Sequence, residues 1–201
     1  MSGARVLTRA ESQERTRGRI VDAATRLFLR DGFGTTSLER IGEEAGYTRG
    51  AVYSNFESKT ELGIAVIDEL YAREERRLSE LLAGAGDSQG QLDALAAWGD
   101  ETIGDQAWTR LETEIAAASS HDDRYRTAAA ARYARLRARA AEIVAGAFGE
   151  ELGMDTDLLA TALVGLTLGI GVQHAADPDI RGSVLSDFLR ALMPASPSEA
   201  S

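Results

Sequence analysis

No cysteine occurs among the 201 residues. That removes disulfides and thiolate chemistry, and it fits a reducing cytoplasm, the compartment expected here. Histidine is nearly as scarce. His121 and His174 stand 53 positions apart and offer no metal-ligand cluster. No G-x-G-x-x-G follows a strand-like run and no Walker sequence occurs, so neither a phosphate-cradling loop nor a cofactor is implied. Glu112 and Glu114 are two apart, which does not place them on one helix face for paired-carboxylate catalysis. With these signatures missing, an enzyme is not expected. No segment alternates with period two, so there is no signal for a sheet. The N-terminus lacks an apolar stretch of the secretory kind. The uncharged segment from Leu158 to Val172 has fifteen residues, against the roughly 20 that cross a bilayer, so no membrane partner is expected.

Net positive charge is also lacking. The formal charge is −10, which at first argues against a nucleic-acid partner. The distribution reverses that argument. Residues 1–60 hold ten Lys/Arg against eight Asp/Glu, a net of +2, and residues 61–201 hold twelve against twenty-four, a net of −12. The first 30 residues hold seven basic and three acidic groups. Arg15, Arg17 and Arg19 could be a solvated helix face, and the preferred reading is that some of them contact phosphate or the minor groove, as basic N-terminal arms do.

The positive end coincides with the most informative segment, residues 36–59. Thr36 and Glu39, three apart, have the spacing of a capping box for a helix from about Ser37 to Ala45, with Leu38, Ile41 and Ala45 on one face. Gly46 can take the positive φ that ends this helix and turns the chain. Thr48 caps a second helix, Arg49–Asn55, whose inward side is Ala51, Val52 and Phe56. Ser58 and Glu61 open a third at about Lys59. A seven-residue helix is marginal alone in water, so it makes sense clamped to a scaffold with its outer face free. That face carries Arg49, Gly50, Tyr53 and Ser54. Arg49 can grip a guanine edge or a phosphate, Gly50 permits close approach, and Tyr53 and Lys59 suit phosphate oxygens.

These residues resemble the DNA-binding domain of the tetracycline-repressor (TetR-type) regulators. The resemblance is carried by Ile20, Ala23, Ala24, Leu27, Phe28, Gly32, Phe33, Thr35, Thr36, Ile41, Ala45, Gly46, Thr48, Gly50, Tyr53, Phe56, Lys59 and Leu62. It departs from the family at Gly42, usually alanine, at Tyr47, usually a small aliphatic, and at Ser54-Asn55, usually an aromatic or histidine pair. The resemblance implies an all-α fold of about nine helices. Its parts are a three-helix helix-turn-helix domain over 1–60, a connector helix over 59–83, and a ligand-binding and dimerisation domain over 84–201. The expected DNA-binding residues are Arg17, Thr36, Ser37, Thr48, Arg49, Gly50, Tyr53, Ser54, Asn55 and Lys59.

Further helices are expected at 13–31, 91–103, 105–119, 122–148, 156–175 and 183–193, with breaks at 83–90, Gly104, 121–122, 149–155 and 177–178. Residues up to about Glu14 and the tail from Pro194 read as unstructured. The helix at 156–175 is apolar on more than one face and must be covered on more than one. With the stripe at 184–192 it reads as a two-fold interface between copies, through Leu158, Val164, Gly165, Leu168, Val172, Phe188 and Leu192. A homodimer would read a palindromic duplex. Trp98, Trp108, Glu112, Tyr125 and His174 are the candidate contacts for a small-molecule effector, since an aromatic lining with a few polar groups suits a ligand cavity. A cationic ligand could pair with Glu112 or Glu114, and the arginines from Arg124 to Arg139 read as a solvated face. The function expected is a dimeric, ligand-released repressor. The rivals are a ligand-independent DNA binder, an activator and, last, a helical enzyme. Effector, operator and regulated genes are not written in the sequence.

Overall fold

The computed structural model describes residues 8–148 and 155–192. Every regular element among them is a helix: α1 (Arg9–Asp31), α2 (Leu38–Ala45), α3 (Arg49–Asn55), α4 (Lys59–Gly84), α5 (Ser88–Thr102), α6 (Gln106–Ser119), α7 (Asp123–Phe148), α8 (Thr156–Ala176) and α9 (Val184–Leu192). The all-α fold is as expected. Two compact units share these helices: Met1–Leu70 with Arg110–Arg126, and Tyr71–Thr109 with Thr127–Ser201. The divisions fall inside α4, α6 and α7, so the chain passes between units without leaving helix.

Three local expectations are corrected. Helix α1 begins at Arg9 rather than about Gln13, because Thr8 and Glu11 form a capping box: the Thr8 hydroxyl accepts from the Glu11 N–H at 3.2 Å and the Glu11 carboxylate from the Thr8 N–H at 2.8 Å. Helix α2 is capped by Ser37, which accepts from the Arg40 N–H at 3.2 Å. Thr36, the cap expected from sequence, is buried, with its hydroxyl donating to the Gly32 carbonyl at 2.8 Å. Helix α5 begins at Ser88, capped by Asp87, inside the expected 83–90 loop. The expectations for residues 1–7, 149–154 and the tail after Leu192 lie outside the described residues.

In the first unit the core is set by periodicity. Ile20, Ala23, Ala24, Leu27 and Phe28 of α1 are buried, as are Ile41 of α2, Val52 of α3, Phe56, and Leu62, Val66 and Ile67 of α4. Such a stripe at three- and four-residue spacing is what makes an amphipathic helix pack on one side. Phe33 meets Phe28 edge-on at 5.1 Å. Gly63 lies between Phe33 and Ile115, where an added Cβ would stand 3.0 Å from one and 3.3 Å from the other. The stretch 110–126 is thereby part of this unit's packing.

The second unit has its own core: Leu92 and Leu95 of α5, Ile103, Val144 of α7, Leu159, Leu163 and Ile170 of α8, and Leu185 and Leu189 of α9. Helix α5 and the turn before α9 approach closely through Gly99 and Gly182, where any side chain would run into the other's backbone. Arg132 corrects the expectation of a solvated arginine face. It is 1 % exposed, and its guanidinium lies over the Tyr71 ring at 5.5 Å. At 21 residues α8 is also longer than its uncharged stretch, and it is long and apolar enough to cross a membrane, with 28 % of its most apolar 18 residues buried within this chain.

Candidate nucleic-acid interface

The outward helix is α3, and its bounds are those expected. Thr48 caps it by accepting from the Ala51 N–H at 3.2 Å. Gly46 turns the chain into it at φ 76°, and the Tyr47 N–H donates to the Gly42 carbonyl at 2.8 Å. Gly42 explains one departure from the family pattern. A Cβ there would stand 3.0 Å from the Tyr47 carbonyl oxygen and 3.2 Å from a Val52 methyl, so glycine lets α2 sit tight against the turn and α3. Behind α3, Val52 and Phe56 are fully buried. At its C-terminus, Arg17 donates to the Asn55 carbonyl at 2.7 Å and lies over the Phe56 ring at 4.1 Å. A short helix held at both ends and from behind presents its outer face as a rigid surface.

That face carries Arg49, Gly50, Tyr53 and Ser54, all exposed. Gly50 opens onto free space, with only the Thr48 hydroxyl within reach of an added Cβ. Tyr53 is 45 % exposed, a high value for so large a ring. The Arg49 guanidinium pairs with Glu39 at 2.7 Å, approaches the Tyr53 hydroxyl at 3.4 Å and lies 5.2 Å from the centre of its ring. Its pKa is raised by the Tyr53 hydroxyl and by Glu39. Ser54 donates to the Ala51 carbonyl.

The remaining expected residues stand around this face in different ways. Ser37 and Thr48 are exposed at helix starts. Thr36 lies behind the surface, and its part is to fix the turn before α2. Asn55 is half-buried with its amide turned back onto the Ala51 carbonyl at 2.8 Å. Lys59 donates to the Gly34 carbonyl at 3.1 Å and sits 4.6 Å over the Phe33 ring. Burial lowers its pKa, and nearby Glu114 opposes that.

Two residues beside the face were not among the expected DNA-binding residues. Glu39 is one, and only its pairing with Arg49 reveals it. Tyr47 is the other. Its hydroxyl bonds to Thr16, which lowers its pKa; burial opposes this, and the nearby Arg19 and Arg15 add to the lowering. The signal for Tyr47 was its departure from the family's small aliphatic.

Glu114 also has a role that its sequence position does not announce. Its carboxylate accepts from the Phe33 N–H at 2.6 Å and the Gly34 N–H at 3.3 Å, and Arg110, one turn earlier, donates to the Leu29 carbonyl at 2.6 Å. The α1–α2 turn is thus held by two side chains of α6. Of the effector candidates, Trp98 donates its indole N–H to Glu74 at 3.1 Å, Trp108 meets Tyr71 edge-on at 5.3 Å, and His174 Nδ1 lies 2.7 Å from the Ile180 carbonyl oxygen. These three lie in the second unit, and Glu112 and Tyr125 in the first.

A capped, outward-facing second helix behind a glycine turn defines the helix-turn-helix class. Residues 20–66 match the model of the bacterial regulatory proteins of the tetR family, and residues 92–194 match that of the BetI-type transcriptional repressor C-terminal domain. The chain belongs to the TetR family of bacterial regulatory proteins. It is similar to the HTH-type transcriptional regulator TtgR of Pseudomonas putida, with 41 % identity over 88 residues, or 44 % of this chain and 39 % of that one. With AcrR of Shigella flexneri the identity is 42 % over 74 residues, 37 % and 32 % of the two chains. The matched stretch thus spans about two fifths or less of these relatives' length. Among solved structures, a protein described as a TetR-family regulator from Rhodococcus sp. superposes with a TM-score of 0.73 at 18 % identity, covering 90 % of this chain and 100 % of that one. A transcriptional regulator from Saccharomonospora viridis, solved in complex with choline, gives 0.69 at 21 % identity, covering 89 % and 95 %. At these identities the likeness is one of fold.

Proposed function

We propose that the protein is a sequence-specific DNA-binding transcriptional regulator that acts as a homodimer and is released from its operator by a small molecule. The observation that carries this is the presentation of Arg49, Gly50, Tyr53 and Ser54 on the free face of a helix fixed from behind by Val52 and Phe56 and held at its end by Arg17. Arg49 offers the donor fork for a guanine edge, and Gly50 lets the backbone approach the groove floor. Ser37, Thr48, Tyr53 and Lys59 supply donors of the kind that fix register on phosphates. One helix of this length reads a few base pairs, and two related by a two-fold axis read a palindrome with half-sites roughly 34–36 Å apart or a multiple of it.

The second copy is argued from α8 and α9. Leu158 is 63 % exposed, Val172 55 %, and Val184 and Phe188 40 % each. With Gly165, Leu158 and Val172 form a stripe along the side of α8 opposite the buried Leu159, Leu163 and Ile170. A half-covered helix this apolar needs a second apolar surface. Its other side packs within a helical core with α9, which favours a protein partner over lipid.

The effector reading rests on the BetI-type match over 92–194 and on structural neighbours that bind small molecules. One was solved with choline, and another, a multidrug-binding protein, with imidazole. Trp98, Trp108 and His174 are the residues of the second unit we would change first. Repression is the sign favoured by that match, and activation follows if the operator lies elsewhere on the promoter. The test is selection of duplexes from a random-sequence pool by the full chain, followed by titration of the selected duplex. A palindromic preference retained at moderate salt is expected. Uniform affinity for all duplexes would remove the reading.

A further inference from the structure

Several arginines of the first unit meet carboxylates within the chain. Arg26 lies 3.3 Å from Glu44, Arg40 3.0 Å from Asp31, and Arg49 2.7 Å from Glu39. The last pair differs in its place, because it lies on the outer face of the reader itself. Both side chains are well exposed, 62 % for Arg49 and 44 % for Glu39. An ion pair in such water contact adds little to the stability of a fold. Its larger consequence is where it puts charge. Glu39 sits in the first turn of α2, and its position places an anion beside the cation expected to enter the groove.

A carboxylate there acts differently on two kinds of complex. On an arbitrary duplex the affinity is almost wholly electrostatic, and Arg49 would serve as one more phosphate contact. To do so it must leave Glu39 and bring that carboxylate against phosphate oxygens, which costs Coulomb energy. On a matched site a guanine edge gives the guanidinium two uncharged acceptors without bringing it to a phosphate. Tyr53, under the same guanidinium, limits the directions in which Arg49 can turn.

We propose that Glu39 is a specificity-determining residue of the reader, holding Arg49 for a base edge and withholding it from phosphates. The inference deepens the DNA-binding reading above and rests on it. It works by penalising the wrong complex rather than by strengthening the right one.

The test uses the full chain, the best duplex from random-sequence selection and a scrambled duplex of equal length, titrated over a salt series by fluorescence anisotropy. For Glu39→Gln, affinity for the scrambled duplex should rise and the preference ratio should fall about threefold to tenfold. The salt slope on the scrambled duplex should steepen by about 0.9, the value of one added phosphate contact. In an Arg49→Ala background, Glu39→Gln should leave the ratio unchanged, because the residue acts through Arg49. A ratio that stays constant in Glu39→Gln while the native chain discriminates overturns this inference alone. A native chain without preference for the selected duplex overturns the DNA-binding reading, and the inference falls with it.

Discussion

At Gly32 the backbone takes φ 94° and ψ 154°, a region open essentially to glycine. The residue ends α1, its N–H donating to the Phe28 carbonyl at 2.9 Å. An added Cβ would also stand 3.2 Å from the Glu114 carboxylate. Gly32→Ala is therefore expected to cost about 1–3 kcal/mol of stability, read as a lower urea midpoint with the slope unchanged. An unaltered midpoint would mean that the turn relaxes to accept the methyl. Single residues also show where sequence reading stops. The capping roles of Ser58 and Thr48 are legible because the groups they satisfy lie three residues on. The role of Glu114 is not, since its partners are 80 and 81 positions away. Arg132 fails for a related reason: its neighbours suggest a charged helix face, and only packing reveals that it is buried.

Between elements, the junction of α5 and α9 depends on one carboxylate. Asp100 accepts from the Ser183 N–H at 2.7 Å, just before α9, and pairs with Arg181 at 2.9 Å. Burial raises its pKa, but the Ser183 backbone bond and the Arg181 guanidinium outweigh that and leave it below the usual 3.8. A depressed carboxyl favours the folded state above the unfolded value, and that contribution is lost as pH falls through the folded value. Replacing Asp100 with Asn should cost about 1 kcal/mol at neutral pH, a figure discounted for the group's partial exposure. The gap between native and variant should close below about pH 3.8. Thermal melts from neutral to acid pH would show it, and a constant gap would assign the loss to shape rather than charge. Element boundaries were legible to within a few residues. α3 is identical to expectation because Thr48 and Phe56 mark its ends, and α1 differs because the Thr8–Glu11 box lies in a polar stretch with no apolar periodicity to signal a helix.

The whole molecule divides its charge, and the reader's net of +2 is set against −12 in the remainder. Such asymmetry favours one orientation of approach to a polyanion. Assembly is decided at the same scale. If the exposed stripe of α8 and α9 is the surface between copies, Val172→Glu buries a charge there. The dimer dissociation constant should then rise at least about 100-fold, equivalent to about 2.7 kcal/mol. Sedimentation would show it, with helicity retained because Val172 is exposed in the single chain. A dimer as tight as the native one would place the interface elsewhere. The sequence identified this helix by its lack of charge. The fold showed which side of it is already covered.

Taken alone, the sequence determined the run of helices, the caps at Thr48 and Ser58, the glycine turn at Gly46 and the outward face of α3. Each of these is set by residues within about four positions of one another, where spacing and backbone geometry act directly. The tertiary structure decided which charges meet. It set Glu39 against Arg49, laid Arg17 under the end of α3, fastened the α1–α2 turn with Arg110 and Glu114, and buried Arg132. Such pairings join distant parts of the chain once the apolar stripes have brought helices together, and no local pattern encodes them.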